Sequence, residues 1–249
     1  MQQIKFGKTS NISYYASEAY KNLRTNLQLC GSDVKVIAVT SCIPDEGKTS
    51  TALNLAKSIS ETGKRVLVID ADMRKSVSVG RYRISGGNYG LSHFLSESVS
   101  LNDVISETDI PNLYMILAGP FPPNPAELLG KDLFKAMIKV AREKFDYVIV
   151  DTPPIGSVID SAVISQCCDG IAIVLGSGNV SYRFAQNAIE QLKKTNIRIL
   201  GVILNMVNKG MDGSGRYYGK YYGKYYGKYY GKYYGRYYGN GQNDKGGNK

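Results

Sequence analysis

Six short apolar segments, separated by loops or by stretches with helical spacing, constrain the fold of this chain more than any other feature. They occupy residues 34–40, 65–70, 113–117, 147–151, 171–176 and 199–205. Segments that are apolar throughout predict strands buried on both faces, and their alternation with helices predicts a parallel sheet. We therefore predict an α/β fold with a mainly parallel central sheet flanked by helices. Ligands of such sheets bind beside the carboxyl ends of the strands.

The segment after the first predicted strand has the pattern of a phosphate-binding loop, or P-loop. It runs from Ser41 to Thr49 and satisfies G-x-x-x-x-G-K-[ST] except at its first position, where Cys42 replaces glycine. Helical spacing begins at Lys48, and the N–H groups and dipole of a helix start attract phosphate. Lys48 would reach the β- and γ-phosphates of a nucleotide, and the Thr49 hydroxyl would bind Mg²⁺. The alternative is an ordinary turn that begins a helix.

We assign ATP and Mg²⁺ to this loop as cofactors, and the fold prediction becomes P-loop NTPase-like. Gly47 would allow the backbone to approach the phosphates closely, because it has no side chain. The residues assigned to nucleotide binding in the loop are Asp45, Glu46, Gly47, Lys48, Thr49 and Ser50.

Aspartates at the ends of two other predicted strands support a magnesium site. The second strand ends in Asp70-Ala71-Asp72, and the fourth ends in Asp151. Carboxylates at strand ends of a phosphate-binding fold are well placed to hold Mg²⁺. A helix N-cap would explain any one of them, but three at the edge of the sheet that carries the loop favour the metal.

The C-terminal segment has a different composition from the rest of the chain. Residues 216–239 repeat the unit [KR]-Tyr-Tyr-Gly six times, and residues 211–249 carry six of the ten net positive charges. A glycine at every fourth position disfavours helix, and no aliphatic side chain is present to form a core. We predict a disordered tail whose alternative roles are an autophosphorylation substrate or a module that binds nucleic acid or membranes.

Composition excludes several other classes of protein. One histidine and four cysteines leave little for a zinc site or a Cys–His nucleophile pair. No apolar run reaches the roughly 18 residues of a membrane span, and the first residues lack the apolar segment of a signal peptide. We expect a cytoplasmic protein with four free thiols.

Taken together, these motifs resemble the bacterial tyrosine kinases of capsule and exopolysaccharide synthesis, in the split form without a membrane modulator on the same chain. The resemblance rests on the loop IPDEGKTS, the acidic segments VIDADMR and VIVDTPP, and the tyrosine-rich C-terminus. It implies an ATP-dependent protein-tyrosine kinase that autophosphorylates its C-terminal tyrosines in trans and regulates polysaccharide synthesis and export. The phosphoacceptors would be Tyr217, Tyr218, Tyr221, Tyr222, Tyr225, Tyr226, Tyr229, Tyr230, Tyr233, Tyr234, Tyr237 and Tyr238.

The resemblance also implies roles for individual residues. Lys48 would hold the phosphates, and Thr49, Asp72 and Asp151 would organise the metal. Asp70 would accept the proton of the tyrosine hydroxyl during transfer. Asn205, at the end of the last strand, stands where related P-loop ATPases contact adenine, and the role of Arg74 stays open between a phosphate and a carboxylate.

An N-terminal segment resembles the oligomerisation motif of the family, with Glu18, Lys21 and Arg24 as the implied interface residues. Lys21 stands where the family has its first arginine, so the positive charge is kept and the bidentate fork is lost. Without the resemblance, the spacing of these residues indicates a solvated helix face with i, i+3 pairs.

The implied partners are further copies of the chain, a transmembrane modulator that activates the kinase, a cognate phosphotyrosine phosphatase and further protein substrates; we expect no nucleic acid. Recruitment by the modulator would place the protein at the inner face of the plasma membrane.

We predict a kinase domain over residues 1–210, with an oligomerisation region at about 14–29, and a tail over residues 211–249. The alternative is a P-loop ATPase of the partitioning or septum-placement type without kinase activity, against which Ile43 argues, because those ATPases carry a lysine there.

Overall fold

All six apolar segments form strands in the computed structural model, which describes residues 1–7 and 12–207. Within these ranges the strands are β1 (Gln2–Phe6), β2 (Val36–Ser41), β3 (Val66–Asp70), β4 (Ile84–Gly86), β5 (Ser106–Thr108), β6 (Leu113–Ile116), β7 (Tyr147–Asp151), β8 (Gly170–Gly176) and β9 (Ile199–Asn205). The predicted tail of residues 211–249, its repeat and its predicted disorder lie outside the described residues.

Helices connect most of the strands. They are α1 (Tyr14–Leu29), α2 (Lys48–Ser60), α3 (Ser78–Tyr82), α4 (Leu91–Leu95), α5 (Leu101–Val104), α6 (Pro125–Gly130), α7 (Asp132–Lys144), α8 (Asp160–Ser165) and α9 (Tyr182–Lys193). The helix predicted over residues 132–144 has the predicted bounds, and helix α2 begins at Lys48 as expected.

The described strands form one sheet in the order β4-β1-β5-β6-β3-β7-β2-β8-β9. Every neighbouring pair from β6 to β9 is parallel, which confirms the predicted mainly parallel α/β sheet. Strand β4 is antiparallel to β1, and β5 is antiparallel to β6. Strands β1, β4 and β5 were not predicted, because they are short or polar and carry no continuous apolar run.

The core lies on both faces of the sheet, as continuous apolar strands require. In β3, Leu67 and Ile69 pack into one cluster with Phe134 of α7, whereas Val66 and Val68 pack into another cluster with α2. Successive side chains of a strand point to opposite faces, so one apolar strand contributes to both clusters. Helix α1 in turn covers α2.

The four cysteines are free thiols, as predicted. Cys42 in the P-loop is fully buried, and burial raises the pKa of its thiol to about 11. It therefore remains protonated at neutral pH, which agrees with a small tolerated side chain and not with a reactive nucleophile.

None of the helices in the described part of the chain is long and apolar enough to cross a membrane.

Candidate active site

The order of the strands brings the predicted loop and the predicted aspartates to one edge of the sheet. Strand β7 lies between β2 and β3, and all three are parallel. Asp151 at the end of β7 pairs in register with Asp70 at the end of β3, while the P-loop leaves the end of β2 beside them. The carboxyl ends of three adjacent strands therefore form one site, as this class of sheet predicts.

Lys48 lies at the centre of three carboxylates. Its Nζ donates to Asp72 Oδ2 at 2.9 Å and to Thr49 Oγ1 at 3.4 Å, and it lies 3.7 Å from Asp151 Oδ1. Asp70, the third carboxylate, is 1% exposed and accepts a hydrogen bond from the Ser76 hydroxyl at 2.7 Å. The site thus places one cation among three buried acids.

These buried charges shift one another's pKa values. Burial raises the pKa of Asp151 to about 7, and the neighbouring Asp70 adds to this shift while Lys48 opposes it. Burial likewise raises the pKa of Asp70. For Lys48, burial alone would lower the pKa, but the carboxylates of Asp151 and Asp72 outweigh it, so the pKa lies above its ordinary value. The cluster therefore contains more acidic side chains than cations to pair with them.

The unpaired oxygens of the cluster fit a divalent cation. Asp70 Oδ1 and both carboxylate oxygens of Asp151 are buried and have no hydrogen-bond partner within the described residues, and the Lys48 ammonium lies 3.7 Å from Asp151 Oδ1. Buried carboxylate oxygens without a donor are costly unless a cation binds them. Residues 1–7 and 12–207 contain no group of three acidic, histidine or cysteine side chains that could hold a metal by themselves. Mg²⁺ is commonly held by one or two carboxylates together with substrate phosphates and water.

Glu46 contributes to the shape of the P-loop through its side chain. Its Oε2 accepts from the backbone N–H groups of Cys42 at 2.7 Å and Ile43 at 3.0 Å, and its Oε1 accepts from Gly176 N at 2.9 Å. The carboxylate is fully buried, so it ties the start of the loop to the end of β8. Any contact of residue 46 with a nucleotide would therefore use its backbone. A sequence pattern does not reveal this role, because it depends on a strand 130 residues away.

Asn205 holds the other side of the same loop. Its Nδ2 donates to the Glu46 carbonyl oxygen at 2.9 Å. Gly47 has φ +86°, and a Cβ atom at this position would overlap Asn205 Nδ2. The left-handed backbone therefore favours glycine, and an added Cβ would also have to displace the Asn205 amide.

Gly47→Ala is expected to distort the loop by displacing Asn205. We expect the free energy of unfolding to fall by about 2–4 kcal/mol, since a left-handed conformation and an overlap are both penalised. Gly63→Ala is the matched control, because Gly63 has φ +80° with no atom within 4 Å of the added Cβ. It should cost only about 1 kcal/mol and leave nucleotide affinity unchanged. Denaturant unfolding and ADP titration measure both quantities, and equal costs for the two variants would contradict the predicted overlap.

Comparison with known proteins identifies the family. A family model described as an AAA domain matches residues 34–205. The tyrosine-protein kinase CpsD of Streptococcus agalactiae is 40% identical over 200 residues, which cover 80% of this chain and 87% of that protein. The chain belongs to the bacterial tyrosine-kinase family.

Solved structures agree with this assignment. The kinase domain of the Escherichia coli tyrosine kinase ETK superposes with a TM-score of 0.76 at 32% identity, covering 82% of this chain and 84% of that one. The septum site-determining protein MinD of Pyrococcus horikoshii, solved with Mg-ADP, has a TM-score of 0.59 at 22% identity over 73% of this chain and 75% of that one. The second likeness shows the P-loop NTPase-like fold alone. The tyrosine-kinase interpretation is therefore favoured over the partitioning or septum-placement ATPase.

In this bacterial tyrosine kinase a cleft opens beside the cluster. It is lined by residues of the P-loop, by the segment that follows β3, and by the segment that follows β7. Asp45 lines this cleft, and Ser50, which follows Thr49 in α2, accepts a hydrogen bond from Arg81. The role of Arg74, left open by the sequence, is now clear: its Nε and Nη2 donate to the two oxygens of buried Asp160 at 2.7 and 3.1 Å.

The three residues implied in oligomerisation of the kinase lie on α1 and do not form one cluster. Lys21 Nζ and Glu18 Oε1 make an exposed i, i+3 pair at 2.7 Å. Arg24 instead reaches α2, where its Nη1 donates to the carbonyl oxygen of Ser58 and to Ser58 Oγ at 3.2 Å. Their part in an interface between copies remains a prediction. The twelve predicted phosphoacceptor tyrosines lie outside the described residues.

Proposed function

We propose that this protein is an ATP-dependent protein-tyrosine kinase that phosphorylates the tyrosines of its own C-terminal repeat in another copy of the chain. The observation that carries the proposal is the cluster at the strand ends, where Lys48 of a P-loop lies among Asp70, Asp72 and Asp151. A P-loop binds the phosphates of a nucleotide, and the carboxylates supply both a metal site and a proton acceptor.

ATP would bind with its phosphates at the start of α2. Lys48 would hold the β- and γ-phosphates, while Thr49, Asp72 and Asp151 would hold Mg²⁺. Magnesium, when bound, neutralises charge that develops on the phosphate oxygens. The support is the chemistry of the donors, since both Asp151 oxygens are buried without a hydrogen-bond donor. Asn205 would reach the adenine side of the site from the end of β9.

Asp70 would take the proton of the attacking tyrosine hydroxyl. A tyrosine with its ordinary pKa near 10 is a poor nucleophile at neutral pH, so a positioned base assists its attack. Ser76 holds Asp70 through Oδ2 and leaves Oδ1 without a partner in the described part of the chain. The oxygen of the tyrosine forms a bond to the γ-phosphorus, the bond to the β-phosphate oxygen breaks, and ADP leaves.

The repeat suits a substrate because of its composition. Twelve tyrosines lie next to glycine or lysine or arginine within residues 216–239. Each phosphate adds about −1.5 to −2 charges at neutral pH, so about six phosphates would reverse the six positive charges of the tail. We propose that this reversal regulates assembly of the oligomer and, through it, capsule or exopolysaccharide synthesis and export.

The remaining partners follow from the family resemblance and belong to this proposal. A transmembrane modulator would activate the kinase and hold it at the inner face of the plasma membrane, and a phosphatase would remove the phosphates. The residues Glu18, Lys21 and Arg24 would contribute to contacts between copies. The boundary between the kinase domain and the tail is proposed at residue 210.

Removal of residues 211–249 tests the assignment of the substrate. We expect phosphotyrosine formed with Mg-ATP to fall by about tenfold or more, because all twelve proposed phosphoacceptors are removed, while the melting temperature changes by less than about 2 °C. A full-length variant with Tyr→Phe at the twelve positions keeps the length and charge of the tail, and it should lose the same signal.

A mixing experiment tests transfer between copies. The tailless protein serves as enzyme, and full-length Lys48→Met protein serves as substrate, so neither can phosphorylate itself efficiently. The proposal expects phosphotyrosine to appear on the full-length partner, as read by mass spectrometry of the tail, with the modulator's cytosolic segment supplied to both arms. If no phosphate appears on that partner while the unmodified chain phosphorylates itself, transfer in trans is wrong.

A further inference from the structure

Four cationic side chains line the cleft beside the P-loop, but only two of them have a carboxylate partner. Lys48 pairs with Asp72, and Arg74 pairs with Asp160. Lys75 and Arg81 line the same cleft, and within residues 1–7 and 12–207 neither has a carboxylate at ion-pair distance. Two cationic side chains without an ion-pair partner among the described residues therefore line the cleft where the substrate phosphates are expected.

Arg81 is held in place by the phosphate site itself. Its Nη1 donates to Ser50 Oγ at 2.8 Å, and Ser50 belongs to the first turn of α2, directly after Thr49. A guanidinium has five N–H donors in a rigid fork that matches the oxygens of a phosphate. One donor is used by Ser50, so the others are available to a ligand in the cleft.

Lys75 is attached to the other side of the cluster. Its backbone N donates to Asp72 Oδ1 at 3.1 Å, while Oδ2 of the same carboxylate accepts from Lys48. The carboxylate thus links the segment after β3 to the P-loop lysine. The contact of Lys75 with this acid is through its backbone, and its ammonium makes no ion pair with Asp72 in the described part of the chain.

We propose that Arg81 and Lys75 form a second phosphoryl-binding subsite, on the wall of the cleft that follows β3. Its ligand is a phosphoryl group with two or more negative charges. Charge-assisted hydrogen bonds from the guanidinium and the ammonium would bind such a group. Asp45 is the acid on the cleft lining that these pairs leave over, and Asp70 and Asp151 lie beside Lys48 at the strand ends.

Two sources can supply this phosphoryl group, and the subsite rests on the proposed kinase function in both cases. The first is the phosphate chain of the nucleotide, which would then be bound by residues on both walls of the cleft. The second is a phosphotyrosine already formed in the repeat, which places another tyrosine next to it in the same [KR]-Tyr-Tyr-Gly unit. The second source would favour successive transfers along one tail.

The test compares a double variant, Lys75→Gln with Arg81→Gln, with a double control, Lys64→Gln with Arg83→Gln, in the full-length dephosphorylated protein. Both change the net charge by the same amount, and the control residues do not line the cleft. Calorimetric titration measures the affinity for Mg-ATP and, separately, for a synthetic Lys-Tyr-Tyr-Gly peptide phosphorylated on its first tyrosine. Melting temperatures exclude unfolding, and Arg81→Lys serves as a second variant that keeps the charge without the fork.

We expect the double variant to lose at least about tenfold in one of the two affinities, as expected for loss of charge-assisted bonds, with the control within twofold. Weaker Mg-ATP binding identifies the nucleotide as the source, and weaker phosphopeptide binding alone identifies phosphotyrosine. If both affinities stay within twofold of the parent, the subsite is overturned. A parent protein that binds no Mg-ATP with its modulator segment supplied would instead overturn the proposed function.

Discussion

Lys48→Met is expected to reduce phosphotyrosine formation on the full-length protein by about 100- to 1,000-fold, the usual effect of removing one donor to developing transition-state charge. Lys48 is the residue that joins the P-loop to the carboxylates, since its Nζ contacts Asp72 at 2.9 Å and lies 3.7 Å from Asp151. Methionine keeps the length of the side chain and removes its charge. A phosphotyrosine blot with Mg-ATP and the modulator segment measures the effect.

The same change also removes the cation from a buried acidic cluster, so stability is measured beside activity. We expect the free energy of unfolding to fall by about 3 kcal/mol, the typical result of breaking a buried pair. Lys139→Met on the exposed side of α7 is the control and should alter neither quantity. A Lys48→Met protein that is folded and still phosphorylates its tail at the parent rate would refute the site assigned here.

Asp151→Asn is expected to have opposite effects on activity and stability. Activity should fall by about 100-fold or more, because a metal ion supplies several kcal/mol of transition-state stabilisation and Asp151 is one of its assigned ligands. Stability of the nucleotide-free and magnesium-free protein should instead rise. The reason is that both oxygens of this buried carboxylate lack a donor in the described part of the chain, and Asp70 lies beside it in register.

The gain in stability depends on pH in a defined direction. Burial raises the pKa of Asp151 from 3.8 to about 7, so the folded protein binds its proton more tightly than the unfolded chain does. The contribution of this proton to stability is therefore fully present below about pH 3.8 and is lost as the pH rises from there through about 7. Asparagine resembles the protonated acid, so Asp151→Asn should stabilise by about 1–3 kcal/mol at pH 8, within the roughly 4 kcal/mol of the whole shift.

At pH 5 the same substitution should give roughly a third of this gain, because Asp151 is then protonated in the folded protein but already ionised in the unfolded chain, where its pKa is 3.8. Urea unfolding at the two pH values measures the difference, with chelator present. Glu190→Gln on α9 is the control, since Glu190 makes an exposed pair with Lys193 and should contribute little at either pH. A variant less stable than the parent at pH 8 would show that Lys48 stabilises the ionised form more than burial destabilises it.

Much of the candidate active site was predictable because its residues lie next to strong local signals. The P-loop follows an apolar strand and begins a helix, and Asp70 and Asp151 end apolar strands of the same kind. Parallel strands place their carboxyl ends at one edge, so the meeting of these groups follows from the sequence pattern. Lys48 and Thr49 lie in the first turn of α2, as the motif requires.

Other features depend on pairs of residues far apart in the chain. Glu46 was assigned to nucleotide binding, but its side chain binds the backbone N–H groups of Cys42, Ile43 and Gly176. Arg74 donates hydrogen bonds to Asp160, and Arg24 donates to Ser58 on a different helix. No spacing rule predicts such partners, because they come together only when the sheet has formed.

The sequence by itself determined the class of the fold, the P-loop and the aspartates around it, because apolar periodicity and a helix start with Gly47-Lys48-Thr49 are local physical signals. Tertiary structure alone decided which buried groups are paired. It added strands β1, β4 and β5, whose pairing compensates for their weak local preference. Among the described residues it also left Asp151 without a hydrogen-bond donor, and Lys75 and Arg81 without a carboxylate partner. The reason is that the partners of a side chain depend on the three-dimensional arrangement of distant strands and not on its neighbours in the chain.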